Sequence, residues 1–386
     1  MVDYTNTRAA QRPAHVLSWL SWTHFLNDGI ANYLPGVLPF IVTSAHIPLT
    51  FAGTLMTALG LGQGLQPLSG WIADRIGGRM LVLGGVALST TSAALIGWAH
   101  PLWLLLCLLF FTGIGNTAFH PQALSMTRSA LTKRPGVSMS LFLIGGEVGR
   151  SLGPLGAGFV VHRWGLPWIW LLAVPLILTY PWIVRAVPAQ SPRPPAGTRI
   201  RFTSHGKPAI ALLLYALVRS ATVYEITTLA PIMWNQRGGS LVAGASLITV
   251  FIGIGIVGNL LGGTLDDRVG KRIVLIGTSA LAVVTLMAFM SLSGLWEWPI
   301  LALMGVALFG SSPTTMLIGQ DIFLENPALG SGIALGLANA LGAIMAFPLT
   351  YIAGIQGDAT TLWILAILTI LTIPTTFWMP LRGRRR

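Results

Sequence analysis

GWIADRIGGR, from Gly70 to Arg79, is matched 193 residues later by GTLDDRVGKR, from Gly263 to Arg272. The two stretches have Gly, Asp, Arg, Gly and Arg at equivalent positions. The match continues into flanking glycines, which pair as Gly60 with Gly253, Gly62 with Gly255 and Gly84 with Gly277. Because 193 residues is half of the 386-residue chain, this repeat predicts a tandem duplication of one structural unit.

The composition indicates a membrane protein. Hydrophobic residues make up 53% of the chain, charged residues only 9%, and the mean hydropathy is +0.73. A water-soluble protein of this size cannot bury so much apolar surface in its core. Apolar runs long enough to cross a bilayer, roughly 18 to 25 residues, occur in twelve places. The predicted spans are Ala14 to Val42, Thr50 to Ile72, Met80 to Trp98, Leu102 to Leu124, Ser138 to Val161, Pro167 to Val184, Pro208 to Trp234, Leu241 to Leu265, Ile273 to Leu292, Pro299 to Ile318, Leu329 to Ile355 and Thr361 to Met379.

The duplication and the spans together predict an all-α membrane protein with two pseudo-symmetric six-helix bundles. We assign residues 1–185 to an N-terminal bundle, 186–207 to a cytoplasmic linker and 208–386 to a C-terminal bundle. The linker is hydrophilic and rich in proline, as expected where a duplication joins its two copies. Parallel repeats of this kind are an architecture of membrane transporters.

The net charge of +12 reflects membrane topology. Most of the 23 Lys and Arg residues fall at the termini and in the even-numbered connections, which predicts that both termini are cytoplasmic. We therefore expect the lipid bilayer, and no nucleic acid, as the partner of these charges. Tryptophans mark the opposite membrane boundary at predicted span ends, namely Trp98, Trp103, Trp164, Trp168, Trp234, Trp296 and Trp298.

Five ionisable residues lie inside predicted spans: Asp28, Glu147, Arg150, Arg219 and Glu225. Each charge costs roughly 2.5 to 3.5 kcal/mol near the bilayer centre, so these groups must pair or face water. A cavity between the two halves meets that requirement and predicts that the five residues contact substrate or protons. Purely structural ion pairs are the alternative.

The three carboxylates outnumber the two guanidiniums, so one acid lacks a permanent partner and can bind and release a proton. Asp28 is the first candidate, because His24 lies one helical turn before it on the same face. Glu147 is the second, since Arg150 three residues later can pair with it. Arg150 and Arg219 are also suited to bind an anionic group by bidentate hydrogen bonds.

The repeated loop resembles the signature of the major facilitator superfamily, and the helix number and the duplication agree with it. The resemblance implies that the loops latch the two halves together on the cytoplasmic side. The residues that would form these gates are Gly70, Asp74, Arg75, Arg79, Gly263, Asp267, Arg268 and Arg272. A topology signal with tight glycine turns is the alternative.

The fifth predicted span contains GGEVGRSLGPLGAG, from Gly145 to Gly158, which is similar to the antiporter signature of superfamily exporters. Close helix packing alone would also explain the small residues. The motif positions are Gly149, Gly153, Pro154 and Gly158.

A closer resemblance rests on three strings, HFLNDGIANYLPGVLP from His24, GIGNTAFHPQA from Gly113 and SLFLIGGEVGRSLGP from Ser140. Together they resemble the fosmidomycin-resistance family of bacterial drug exporters. The resemblance implies proton-driven efflux, with His24, Asn27, Asp28 and His120 at family motif positions. Tyr33 and Tyr224 are further candidate substrate contacts, although packing roles for the tyrosines and a capping role for His120 are the alternatives.

These observations predict a proton-coupled antiporter that exports a small molecule across the bacterial inner membrane by alternating access. The expected substrate is a drug or an anionic metabolite such as a phosphonate. Uptake or exchange of a metabolite anion is the first alternative, and a non-transporting sensor or scaffold is the second. An enzyme is not expected, because the sequence has no evident nucleophile, metal cluster or nucleotide loop. We expect no cofactor and no metal ion, and the resemblance implies a monomer.

Overall fold

The computed structural model describes residues 13–44, 47–65, 69, 78–99, 101–130, 135–188, 206–323, 330 and 332–379, without the side chains at 13, 125, 128–130, 135–141 and 267. In chain order its α-helices are α1 (Pro13–Ala31), α2 (Leu34–Ser44), α3 (Leu49–Gln63), α4 (Gly78–Leu95), α5 (Leu102–Ala130), α6 (Pro135–Trp164), α7 (Val174–Ala186), α8 (Gly206–Gln236), α9 (Leu241–Val269), α10 (Lys271–Ser291), α11 (Glu297–Gly310), α12 (Ser312–Ile322), α13 (Ala338–Gln356) and α14 (Asp358–Thr372). Short 3₁₀ segments extend several of them at Ile96–Trp98, Leu166–Ala173, Gly294–Trp296 and Pro374–Trp378, and a π-helical turn at Ile333–Leu337 precedes α13.

The described residues contain a helical segment at each of the twelve predicted spans. Nine of these stretches are long and apolar enough, on their own composition, to cross a membrane. The all-α membrane fold predicted from the sequence is confirmed. The predicted linker lies largely outside the described residues, as do the basic residues at both termini.

The first predicted span is interrupted, because α1 ends at Ala31 and α2 begins at Leu34. The backbone nitrogen of Asn32 makes the last helical hydrogen bond of α1, to the carbonyl oxygen of Asp28 at 3.1 Å, and its side-chain Nδ2 donates to the same oxygen at 2.9 Å. Pro35 then stands in the first turn of α2, where a missing N–H is tolerated. The prediction of one continuous helix was therefore wrong at this point, and the break lies one turn after Asp28.

Glycines bring α1 and α6 into backbone contact. A Cβ atom at Gly149 would lie 2.1 Å from the carbonyl oxygen of Phe25, and one at Gly153 would lie 2.1 Å from that of Gly29. Since real Cβ atoms cannot approach so closely, any larger residue would force the helices apart. The glycines of the fifth-span motif thus fix the distance between α1 and α6.

The two halves of the chain are in contact through α3 with α13 and through α6 with α9. We call the membrane face at which α1 begins the terminal side, and the opposite face the far side. The contact between α3 and α13 runs along α3, because a Cβ atom at Gly53 would be 2.4 Å from the carbonyl oxygen of Ala346 and one at Gly60 would be 2.0 Å from the Cβ of Ala343. Between α6 and α9, a Cβ atom at Gly158 would be 2.7 Å from the Cβ of Ala245. Toward the terminal side, Ile144 of α6 is exposed. Farther along α6, Glu147 and Arg150 are also partly exposed, and Arg150 acts electrostatically on Arg219 of the other half, so we place a space between the halves here.

Most of the tryptophans predicted at the far boundary are exposed, as expected for side chains at a membrane interface. They are Trp98, Trp103, Trp164, Trp168 and Trp296. Trp234 and Trp298 differ, because their rings contact each other edge to face at 4.8 Å and both are partly buried. Their ring contact joins α8 to α11 at this boundary.

Candidate functional site

Asp28 lies at the centre of a buried polar cluster in the first half of the chain, and only 2% of its surface is exposed. Its Oδ1 accepts hydrogen bonds from the side-chain amides of Asn27 and Asn116, both at 3.1 Å. Nε2 of His120 lies 3.2 Å from Oδ1, and Nε2 of His24 lies 3.3 Å from Oδ2. Two side-chain amides therefore donate to Oδ1, and one imidazole nitrogen lies beside each carboxylate oxygen.

The two histidines face each other, with their Nε2 atoms 3.1 Å apart. Nδ1 of His24 is bonded to the carbonyl oxygen of Phe142, and Nδ1 of His120 to that of Asn116, each at 2.8 Å. A carbonyl oxygen can only accept, so both Nδ1 atoms carry hydrogen. If both rings were neutral, two Nε2 lone pairs would then point at each other and at the carboxylate. The arrangement consequently calls for a proton on one Nε2, shared between the histidines and Asp28.

The ligand atoms of His24, Asp28 and His120 also lie within 4.8 Å of one another, a spacing compatible with a transition-metal ion. A guanidinium nitrogen of Arg150, however, lies 3.7 Å from Oδ2 of Asp28. This permanent positive charge opposes a divalent cation at the same place. The geometry therefore favours a proton over a metal ion in this cluster.

Packing against α6 holds the His24 ring in place. The ring stacks on Phe142, with centroids 4.1 Å apart. Gly146 leaves room for it, because a Cβ atom there would lie 2.2 Å from Nε2 of His24. The orientation of His24 thus depends on one small residue that the sequence analysis treated only as part of a glycine motif.

Arg150 and Glu147 connect the buried cluster to the region between the halves. Arg150 lies 3.5 Å from Glu147 as well as 3.7 Å from Asp28, so one guanidinium is shared by two acids. Their side chains are 34% and 23% exposed, whereas that of Asp28 is 3% exposed. Oε2 of Glu147 and Nε of Arg150 have no hydrogen-bond partner within the described residues. These two unpartnered atoms are buried, so the exposed parts of both side chains are what an entering molecule would meet.

Arg219 provides a positive charge from the second half of the chain. It is 8% exposed and donates hydrogen bonds to the hydroxyls of Ser312 and Ser220, the latter at 3.4 Å. Among the described side chains no carboxylate lies within ion-pair distance of it, and its Nε has no partner. Arg150 acts on it electrostatically from the other half. A buried cation held only by hydroxyls is a favourable place for an anionic group.

Tyr224 joins the two halves at the edge of this space. Its hydroxyl donates a 3.1 Å hydrogen bond to the side-chain carbonyl of Gln63, at the end of α3. Tyr224 precedes Glu225 in α8, yet the two side chains point in different directions. Tyr224 is thus placed between the halves, near the charged residues.

Two of the sequence candidates lie elsewhere. Tyr33 is 2% exposed, and its hydroxyl donates to the carbonyl oxygen of Ala93 at 2.8 Å, within the apolar core of the first half. Glu225 is fully buried between α8 and α13, where it accepts hydrogen bonds from Thr350. The structure therefore does not bring these two residues into the cluster around Asp28.

The predicted gating residues are only partly described. Gly70, Asp74 and Arg75, and the side chain of Asp267, lie outside the described residues. Of the others, Arg79 donates to the carbonyl oxygen of Val184, Arg272 lies over the ring of Phe377, Arg268 is exposed and Gly263 is half-buried. A latch between the halves stays a prediction.

Several polar residues of the site were missed by the sequence analysis, namely Gln63, Asn116, Ser312 and Asn339. One of them carried a usable signal, because Asn116 precedes His120 by four residues and therefore lies on the same helical face. The other three have no sequence relation to the charged residues. Their side chains meet the site only through packing between distant helices.

Gly149 offers a test of the contact between α1 and α6. We expect Gly149→Ala to lower the stability of the protein by roughly 1 to 3 kcal/mol, because the new methyl group collides with the backbone at Phe25. Gly156→Ala is the matched control on the same helix, since a Cβ atom there makes an ordinary 3.5 Å contact with Leu172. Thermal unfolding in detergent, followed by tryptophan fluorescence, measures both. Equal stability of the two variants would contradict the packing described here.

Comparison with known proteins places the chain in a family. The family model of the Major Facilitator Superfamily matches residues 20–347. An uncharacterised MFS-type transporter of Bacillus subtilis, YfnC, is 26% identical over 91% of this chain and 89% of its own length. The fosmidomycin resistance protein of Escherichia coli is 25% identical over 96% of this chain and 94% of its own length.

Solved structures show the same fold at low sequence identity. A bacterial homologue of the human lysosomal transporter Spinster, in an inward-facing and unoccupied conformation, has a TM-score of 0.73 at 14% identity and covers 96% of this chain and 97% of its own. A mutant of the nucleoside transporter NupG has a TM-score of 0.76 at 11% identity, covering 94% and 99%. The chain belongs to the Major Facilitator Superfamily and is a multi-pass membrane transporter.

Proposed function

We propose that this protein is a proton-coupled antiporter that exports a small molecule across the bacterial inner membrane. The observation that carries the proposal is the buried cluster of His24, Asp28 and His120, whose geometry suits a shared proton and which meets the space between the halves through Arg150. On the opposite wall, Arg219 offers a positive charge. A substrate that fits both walls has an anionic group for Arg219 and a hydrogen-bond donor for Glu147.

Antiport requires that proton and substrate exclude each other. A donor group binds Glu147 when Arg150 pairs with Asp28 instead. A proton on the histidine pair engages Asp28 and releases Arg150 to Glu147, which removes that acceptor from the substrate. Binding of the donor group and binding of the proton therefore exclude each other. The two halves can close around the protein with bound substrate or around the protein with bound proton.

The relatives support an efflux role. The E. coli relative is by name a fosmidomycin resistance protein. Multidrug resistance proteins named MdtH also match, at 25% identity over 53% of this chain for the one from Salmonella typhi. A phosphonate or another small acid with a polar donor group is the substrate class that we propose for this chain.

We further propose that both termini are cytoplasmic and that residues 1–185 and 208–386 move as two bodies. In that orientation the space between the halves opens to the cytoplasm. The Spinster homologue, which has the same fold, is likewise named as inward-facing. Substrate would enter from this side, and the far-side contacts would separate to release it. The charge distribution along the chain supports this orientation. We propose that the monomer is the working unit.

Uptake of a simple anion is the second candidate, and Arg219 favours it. An anion without a donor group would bind Arg219 and Arg150 together. A proton on the cluster would then assist binding, because Asp28 would turn from Arg150 to the imidazolium. Proton and anion would travel in the same direction, which is co-transport instead of antiport.

The pH dependence of substrate affinity separates the two candidates. We expect an export substrate to bind the purified protein more tightly as pH rises from about 5.5 to about 8, because the competing proton is lost. A co-transported anion shows the reverse dependence. Isothermal titration with fosmidomycin and with a simple alkylphosphonate is the measurement. Affinities that do not change with pH for any bound compound contradict both candidates.

Growth assays identify the substrate. We expect overexpression in a sensitive bacterial strain to raise tolerance to an acidic compound within a panel of phosphonates, carboxylates and cationic drugs. Arg150→Ala should abolish that tolerance, because Glu147 and Asp28 lose their shared partner. Arg163→Ala is the matched control, since this residue lies at the far end of α6. Tolerance that persists in Arg150→Ala would remove this residue from the transport site.

A further inference from the structure

Glu225 is a second buried acid, separate from the cluster around Asp28. It is fully buried in the far-side half of α8, and its two carboxyl oxygens lie 3.0 and 3.2 Å from the hydroxyl of Thr350 on α13. Its surroundings are the apolar side chains of the second half, including Ala221 and Leu229. Among the described residues no cationic group lies within ion-pair distance of it.

Thr350 lies directly beneath the contact between the two halves. A Cβ atom at Gly53 of α3 would be 2.6 Å from the Thr350 hydroxyl and 2.4 Å from the carbonyl oxygen of Ala346. Gly354 packs in the same way against Thr50. We define the far-side gate as the contact between Thr50–Gly53 and Ala346–Gly354. Thr350 belongs to this gate, and its hydrogen bond to Glu225 connects the gate to the interior of the second half.

The other titratable groups near Glu225 do not neutralise it. Asp358, in the first turn of α14, acts on it as a like charge. Arg237, at the far-side end of α8, pairs with Glu297 at 2.6 Å. Neither α2 nor α3 has a titratable side chain, nor has α9 in its far-side half; α13 contributes only Tyr351. An ionised Glu225 would therefore be a negative charge in an apolar core with one hydroxyl as its partner.

We propose that Glu225 is a second proton-binding site, and that the far-side gate closes only when this carboxyl holds a proton. In the protonated form one carboxyl oxygen accepts from Thr350 and no net charge is buried. When α3 leaves α13, water from the far side reaches the Thr350 hydroxyl and allows Glu225 to ionise. Closure of the far-side gate is linked to protonation because Glu225 can be buried only as the neutral acid.

This site differs in role from the Asp28 cluster. In the conformation described here Glu225 has no exposed surface, so its proton exchanges with the far side only while the gate is open. A low pH on the far side then favours closure of the gate after the substrate has left. The inference depends on alternating access alone and holds for export and uptake alike.

Distance measurements across the gate test the proposal. Ser44, at the end of α2, and Gln236, at the end of α8, are exposed far-side residues in opposite halves. Fluorophores on Ser44→Cys and Gln236→Cys, in a Cys107→Ser background, report gate width by single-molecule energy transfer in nanodiscs. We expect the open-gate population to increase at least tenfold between about pH 5 and pH 9, and Glu225→Gln to remove most of this increase. Glu297→Gln is the control, because this equally buried far-side acid is paired with Arg237.

Two outcomes would overturn the proposal. One is a full pH response in Glu225→Gln, which would assign the response to other groups such as His24 and His120. The second outcome comes from infrared difference spectroscopy of the full-length protein at neutral pH, which detects the protonated carboxyl group directly. We expect a protonated-carboxyl band that is lost in Glu225→Gln and kept in Glu297→Gln. A band that is unchanged in Glu225→Gln would show that this acid is ionised in its buried site.

Discussion

Asp28→Asn is expected to reduce proton-driven transport on the order of 100-fold or more while the protein still folds. In our proposal Asp28 is the buried counter-ion of a proton that His24 and His120 share, and the Nε2 atoms of both histidines lie within 3.3 Å of its carboxylate. Removing one partner of a buried ion pair costs about 3 to 5 kcal/mol. Asparagine has the same shape and can donate to a neutral Nε2, so the histidine pair no longer needs the proton. Transport driven by an imposed pH gradient in proteoliposomes is the measurement.

Substrate binding serves as the internal control for this variant. We expect Asp28→Asn to retain affinity for the anionic group, because Arg219 is unchanged, but to lose the pH dependence of binding. His24→Gln and His120→Gln should show the same loss of pH dependence to a smaller degree, since each leaves one imidazole in place. Normal gradient-driven transport by Asp28→Asn would place the coupling proton outside this cluster.

Arg219→Gln is expected to abolish transport of an anionic substrate and at the same time to stabilise the protein. Arg219 is a buried cation without a carboxylate among the described residues, so it is held at the expense of folding stability. Even a buried ion pair can often be replaced by well-packed apolar residues with a gain in stability, because removing charges from water is costly, and an unpaired buried charge carries that cost without the compensating attraction. A residue that lowers stability but is needed for activity is characteristic of a functional site.

Arg237→Gln is the matched control, with an opposite expected effect on stability. Arg237 pairs with the fully buried Glu297, so its loss leaves an uncompensated carboxylate and should destabilise the protein. Thermal unfolding in detergent compares the two variants, and binding of an alkylphosphonate reports the function of each. If Arg219→Gln destabilises the protein as Arg237→Gln does, Arg219 is a structural residue and not an anion site.

The fold was predictable from sequence to an unusual extent, for physical reasons. A bilayer requires long apolar helices, and the repeat of Gly70–Arg79 at Gly263–Arg272 places those helices in two equivalent sets. The break in the first span was not predicted, because apolar residues continue on both sides of Asn32 and Tyr33 and the hydropathy pattern does not register the Asn32 hydrogen bond or Pro35.

The site was predictable only where spacing along one helix determines contact. His24 with Asp28, and Glu147 with Arg150, are separated by four and three residues, and both pairs do contact. Glu225 directly follows Tyr224 in sequence, but the two residues differ by about 100° around the helix and face different neighbours. Packing against α3 and α13 decides which face of α8 lies between the halves. The sequence pattern does not reveal this face, because polar and apolar residues of α8 are not separated onto opposite sides of the helix.

The central claim is that the cluster of His24, Asp28 and His120 holds the proton that is exchanged for substrate. Inside-out membrane vesicles with an acidic interior test it most directly, with a pH-sensitive dye and the compound identified by the growth panel. We predict that adding the compound discharges the pH gradient in vesicles with the native protein, but not with Asp28→Asn, while Glu297→Gln behaves as native. An unchanged gradient with the native protein, or equal discharge with Asp28→Asn, would contradict the account.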